Sequence, residues 1–205
     1  DKEHLYHGCV LDSMSVSANL NEYASISFSM MGRSENIGAL GPVGSTSASF
    51  PDSLPALYFS NAKVFFNADA NHTTAVKSIS FDVNLNLDDE NACTLGETTY
   101  TIQPQAQRRE ITGTIEFNRV IHTAVESDPT YTELTTADGL ELSGSGVELK
   151  VQFGDDSTAD LLTFNFYKIR FEAPEANVSG RDTNTMSVGF TALYSPDDSK
   201  MMDIV

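Results

Sequence analysis

Lys77 to Asp88 reads KSISFDVNLNLD. Ile79, Phe81, Val83, Leu85 and Leu87 alternate with Ser80, Asp82, Asn84 and Asn86. A period of two puts the apolar set on one face of a strand and the polar set on the other. The apolar face belongs in a core. The second face is small, polar and nearly uncharged, which suits water, a partner's strand, or a molecule that must slide past without sticking.

The same alternation recurs on either side of this stretch. Met14, Val16, Ala18 and Leu20 lead through a turn at Asn19 to Glu22 into Ile26, Phe28 and Met30, with Ser25, Ser27 and Ser29 between them, which predicts a serine-faced hairpin. Leu57 to Asn67 reads as another strand. In RREITGTIEFNR, Ile111, Ile115 and Phe117 oppose Thr112, Thr114 and Glu116. Gly113 takes an apolar-phase position there, a sign of a bulge or of a close backbone approach. GVELKVQFGD sets Val147, Leu149, Val151 and Phe153 on one face and turns at Gly154. The phase then slips: Leu162, Phe164 and Phe166 point one way, Tyr167, Ile169 and Phe171 the other. Such a slip means a bulge near Phe166 and Tyr167, or a strand buried on both faces. TMSVGFTALY, with Met186, Val188, Phe190, Ala192 and Tyr194 in register, reads as the last strand.

Two segments break the pattern. Residues 32–55 are loaded with Gly, Ser and Pro and have no period, which predicts a long loop of the functional or disordered kind. In SDPTYTELTTADG, Asp128 can cap a helix, Pro129 fits its first turn and Gly139 can end it, so a short helix is expected at about 129–137. The sum is an all-β antiparallel sandwich or barrel with one short helix, in a single domain over residues 1–205.

Composition narrows the partners. Twenty-nine acidic against 12 basic residues give a net charge of -17, which opposes any protein that grips nucleic acid or an anionic membrane by charge. The acidity fits solubility, a salt-rich habitat, or a surface that repels polyanions. Cys9 and Cys93 are too few for a disulfide scaffold and lack metal-ligand spacing. No apolar run reaches the length of a membrane span, and no basic-then-apolar leader precedes Leu5.

Catalytic constellations do not emerge. His4, His7, His72 and His122 lack the paired spacing that puts two imidazoles on one metal, and no serine sits in a nucleophile elbow. Gly38, Gly41 and Gly44 lack the Lys-Ser/Thr of a phosphate loop. Asp88, Asp89 and Glu90, and likewise Asp155, Asp156 and Asp160, fall at strand ends and do not follow the EF-hand pattern. No catalytic residue, metal ligand or cofactor is expected.

The arrangement as a whole is more specific than its parts. Gly8 to Ser17 (GCVLDSMSVS), followed by Ile26 to Gly32 (ISFSMMG), resembles the paired strands that open tail tube proteins of long-tailed bacteriophages and related archaeal viruses. ITGTIEFNR, then GVELKVQF, then a strand reaching a proline, the VSGRD turn at Val178 to Asp182 and the ending FTALY at Phe190 to Tyr194 resemble the second half of the same family. The resemblance implies a structural virion subunit. Such subunits form hexameric rings, a homohexamer whose members lend strands to a shared inner β-barrel, and the rings stack into a tube for DNA ejection. It also implies a tape-measure protein, tail-end or terminator proteins, and DNA passing through without tight binding as partners.

On that reading one strand face lines the channel. The lumen-facing candidates are Ser25, Ser27 and Ser29 on one strand, Ser80, Asp82 and Asn84 on the next, and Thr112, Thr114 and Glu116 on a third. The long loop is expected to reach a neighbouring subunit or ring, with Arg33, Ser34, Glu35, Asn36, Ile37, Leu40, Pro42 and Val43 as contact candidates. Two other readings stay open: a secreted or surface binding module, adhesin or carbohydrate-binding, and the inner tube of a contractile injection device. A carbohydrate site calls for exposed aromatics, yet tryptophan is absent and the aromatics lie mostly in apolar phase.

Overall fold

A computed structural model describes residues 2–39, 57–58, 62–66, 76–93, 95–96, 102–118, 147–154, 162–172, 175–177 and 185–205. The expected helix at about 129–137 lies outside them. The described strands are β1 (Lys2–His7), β2 (Val10–Asn19), β3 (Ser25–Met31), β4 (Ser34–Ala39), β5 (Ala62–Phe66), β6 (Val76–Asn84) and β7 (Leu87–Asp88). They continue with β8 (Gln105–Ala106), β9 (Glu110–Asn118), β10 (Val147–Phe153), β11 (Leu162–Phe171), β12 (Glu175–Asn177), β13 (Thr185–Ala192) and β14 (Met202–Ile204). Apart from a single 3-10 turn at Glu90–Ala92, the described elements are all strands, as the alternation requires.

The largest sheet runs β3-β2-β6-β9-β13-β11-β10-β5, with β12 beside β13 and β14 beside β11. The chain divides into two compact units. The larger comprises Val16–Ile26, Pro55–Asp82 and Ile111–Val205, and the smaller Asp1–Ser15, Ser27–Leu54 and Val83–Glu110.

The larger unit holds the main core. Ile79, Phe81, Ile111, Ile115, Val151, Phe164, Phe166, Val188 and Phe190 are buried, each on the face its alternation assigned. Phe81 on β6 meets Phe164 and Phe166 on β11 edge to face, at centroid distances of 5.0 and 5.1 Å. Strands β9 and β13 separate these two strands in the sheet, so the unit's sheet curls until its own inner face closes over the rings. Gly113 makes room for that closure. A Cβ there would lie 2.4 Å from Phe190 Cζ and 2.6 Å from the Ser80 carbonyl oxygen, the close approach its phase predicted.

The phase slip in β11 is a bulge. Val147 pairs with Ile169 and Leu149 with Phe166, so two steps along β10 match three along β11. The extra residue returns Ile169 and Phe171 to the face of Phe164 and Phe166, and all four are buried. It also divides the strand's other edge. Before the bulge Phe164 to Phe166 pairs with β14, and after it Ile169 to Phe171 pairs with β13.

In the smaller unit β1 and β4 pair antiparallel as a separate two-stranded ribbon. This corrects the expected loop at its start, because residues 34–39 are strand. The ribbon was silent in the sequence because Leu5, Tyr6 and Ile37 are all exposed, so no burial periodicity marks it. Gly8, at φ +63 and with Arg33 Cβ only 2.9 Å from where a Cβ would stand, turns the chain from β1 toward β2. The strand expected to run through Leu87 ends earlier: β6 stops at Asn84, Asn86 adopts φ 46, and β7 then pairs with β8. Asn86 Nδ2 donates to the Arg108 carbonyl at 2.7 Å, which holds this break.

Candidate assembly surface

The polar positions singled out by alternation are on the surface as strand faces. In the larger unit Ser80, Asp82 and Thr114 are exposed, while Thr112 and Glu116 are half-buried. Thr112 lies opposite Thr191, Thr114 opposite Gly189 and Glu116 opposite Ser187, so β13 extends the same small, polar face. Ser25, at the start of β3, is exposed as well. In the smaller unit Ser27, Ser29 and Asn84 are exposed. Asn84 Oδ1 is occupied locally, accepting from the Asn86 backbone N–H at 2.9 Å.

Glu116 is not a bare negative charge. Lys77 Nζ donates to its Oε1 at 3.0 Å and Ser78 Oγ to its Oε2 at 3.2 Å. The Lys77 hydrogen bond, above all, holds this carboxyl below its ordinary value against partial desolvation, and the Lys77 charge, Ser78 and Thr185 add to the lowering. A depressed carboxyl stabilises the fold above the unfolded value near 4.5, and that contribution is lost as pH falls through the lower folded value. Lys77→Met is therefore expected to cost about 1 kcal/mol at neutral pH, since the pair is only partly buried. The stability difference between the native chain and Glu116→Gln should shrink on acidification, read from urea midpoints at pH 7 and pH 3; a constant difference would disprove the ion pair's part.

Strand β3 departs from the expected pattern. Its serines are exposed, but so are the residues between them: Phe28 is 59% and Met30 61% exposed. Among the described residues only β2 pairs with β3, and two large apolar side chains are exposed on that one strand. The sequence could not show this, because alternation reports a side chain's phase and not whether anything covers it.

On the β1–β4 ribbon, His4 Nδ1 donates to Glu35 Oε1 at 2.6 Å. That bond first, and then the Tyr6 hydroxyl, hold the Glu35 carboxyl below its usual range, while Glu35 raises Tyr6. Of the expected contact residues, Arg33, Glu35, Asn36 and Ile37 are exposed and Ser34 is half-buried. Leu40, Pro42 and Val43 lie outside the described residues.

Asp88 accepts from Asn91 through side chain and backbone, which accounts for part of the first acidic cluster. Residues 155–161, with the second cluster, lie outside the described residues. Among the described residues no group of His, Cys, Asp or Glu is arranged to hold a metal, and no helix is long and apolar enough to cross a membrane. Cys9 and Cys93 are both free thiols.

The sequence matches the family of phage tail tube proteins over residues 1–192. The chain belongs to that family. No curated protein matches it. Membership gives the chain a structural role in the tail tube, places it in the virion tail and implies self-assembly into a tube. Residues 193–205, which carry β14, lie beyond the matched span.

Proposed function

We propose that six copies of this chain close into a ring, that rings stack into the tail tube, and that the bore conducts DNA during ejection. The observation that carries this reading is the exposure of Phe28 and Met30 on β3, a strand that among the described residues pairs only with β2. A strand edge left uncovered templates aggregation unless another strand pairs with it. A neighbouring copy supplies that strand, and head-to-tail pairing that closes gives a ring. The ribbon residues Glu35, Asn36 and Ile37 then reach the adjoining subunit or ring, with a tape-measure protein and terminator proteins at the tube's centre and ends.

The polar faces line the bore in this arrangement. Hydroxyls, an amide, the Asp82 carboxylate and the paired Glu116 offer DNA no cation array to hold its phosphates, so passage does not stall at each contact. The chain's net charge of -17 works in the same direction.

Negative-stain electron microscopy of the concentrated protein should show rings or hollow tubes. Phe28→Glu with Met30→Glu should remove them while leaving circular dichroism and the thermal midpoint nearly unchanged, because neither side chain is buried in the subunit. Tubes that persist in the double variant would remove β3 from the interface.

A further inference from the structure

β14 is held on β11 mainly by backbone. Thr163 and Val205 exchange both N–H···O bonds, at 2.8 and 2.9 Å, and Asn165 pairs with Asp203. Its side chains are only partly covered: Met202 and Asp203 are half-buried, and Ile204 is 49% and the following Val205 72% exposed. One polar latch fastens it, in which Asp203 Oδ2 accepts from Lys200 Nζ at 2.7 Å and from the Tyr167 hydroxyl at 3.3 Å. Segments with few buried apolar contacts lie at the low end of local stability and open without global unfolding.

The turn that delivers the strand is short and strained. Ser195 and Lys200 are bridged, and Ser195 N donates to the Lys200 carbonyl at 2.9 Å. Between them Pro196 to Ser199 reverse the chain, and Ser199 sits at φ 57, a left-handed conformation that costs a non-glycine residue about 1 kcal/mol. Short hinges under strain favour strand exchange, since the strain is released when the hinge straightens.

An empty seat leaves a strand edge open. Thr163 is buried, and its backbone N–H and C=O on this edge are satisfied by Val205. β13 cannot replace it, because β13 takes up β11 only beyond the bulge. An edge vacated by β14 is an open strand edge that another strand in the same register can pair.

We infer that Met202–Ile204 is an exchangeable strand, docked on its own β11 in the free subunit and on the β11 of a second copy in the assembly. The two seats are chemically identical, so exchange alters only the hinge and the linkage between copies. This rests on the reading that copies of this chain assemble, and it adds a tie between them that lies outside the span matched to the family.

The test uses chains of residues 1–205 carrying Cys9→Ser and Cys93→Ser. Directly opposed Asn165 and Asp203 lie at a cross-strand separation of about 5.5 Å, within reach of a disulfide. A chain with both Asn165→Cys and Asp203→Cys should close internally on oxidation and reports the intramolecular seat. Oxidising a concentrated mixture of single-variant Asn165→Cys and Asp203→Cys chains should give covalent dimer about tenfold above a mixture pairing Asn165→Cys with Ser199→Cys. Internal closure of the double variant with no excess dimer in the mixture would overturn exchange, as would failure of the double variant to close. Tubes seen by microscopy beside a negative cross-link would leave the assembly reading intact, so the two can fail separately.

Discussion

Phe81→Ala is expected to lower the stability of the subunit by about 4 kcal/mol. Phe81 is 1% exposed and meets two rings, Phe164 and Phe166, edge to face. Each ring pair adds roughly 0.5–1.5 kcal/mol beyond area burial. Truncation removes both contacts and leaves a cavity between strands that the sheet's curl holds apart, so collapse into the space is resisted. Phe81→Leu keeps most of the volume and should lose roughly half as much. Equilibrium unfolding in urea decides the matter: a loss below about 1 kcal/mol for the alanine variant would mean the core is not organised around this ring.

Gly113→Ala should cost about 3 kcal/mol, although it adds a single methyl group. The new Cβ would meet Phe190 Cζ at 2.4 Å and the Ser80 carbonyl oxygen at 2.6 Å. A side chain can rotate away, but the backbone oxygen of a central strand cannot move without straining its ladder. The prediction is sharpened by a second change. Phe190→Leu, destabilising alone, should recover part of the loss in the Gly113→Ala background, because it relieves one of the two clashes. Additive losses in the double-mutant cycle would show that Phe190 does not set the requirement for glycine.

The sequence made legible whatever depends on burial with a regular period. Ile79, Phe81 and Val83 announced a core strand, Gly113 a close approach, and the offset between Phe166 and Ile169 a bulge, each because one face is packed and the other is not. β1 and β4 carry no such contrast, being exposed on the ribbon, and β14 is too short for two periods to show. The candidate site divides the same way. The polar faces of β6 and β9 could be read from alternation: Ser80, Asp82, Asn84 and Thr114 are exposed, whereas Thr112 and Glu116 are half-buried. The open apolar side of β3 could not, since Phe28 and Met30 have the phase of core residues and differ from them only in lacking a cover. Lys77 gave no signal as the partner of Glu116, because 39 residues separate them and only the sheet brings them together.

The bulge in β11 also has a mechanical meaning. Tension applied at Val205 loads the β14 ladder from its Thr163 end, one bond after another, so the strand peels rather than shears. Peeling stops at the offset near Tyr167 and Lys168, because the edge beyond it belongs to β13 and is pulled in a different place. The strand would thus give way over the five pairs from Thr163–Val205 to Tyr167–Met201 and no further.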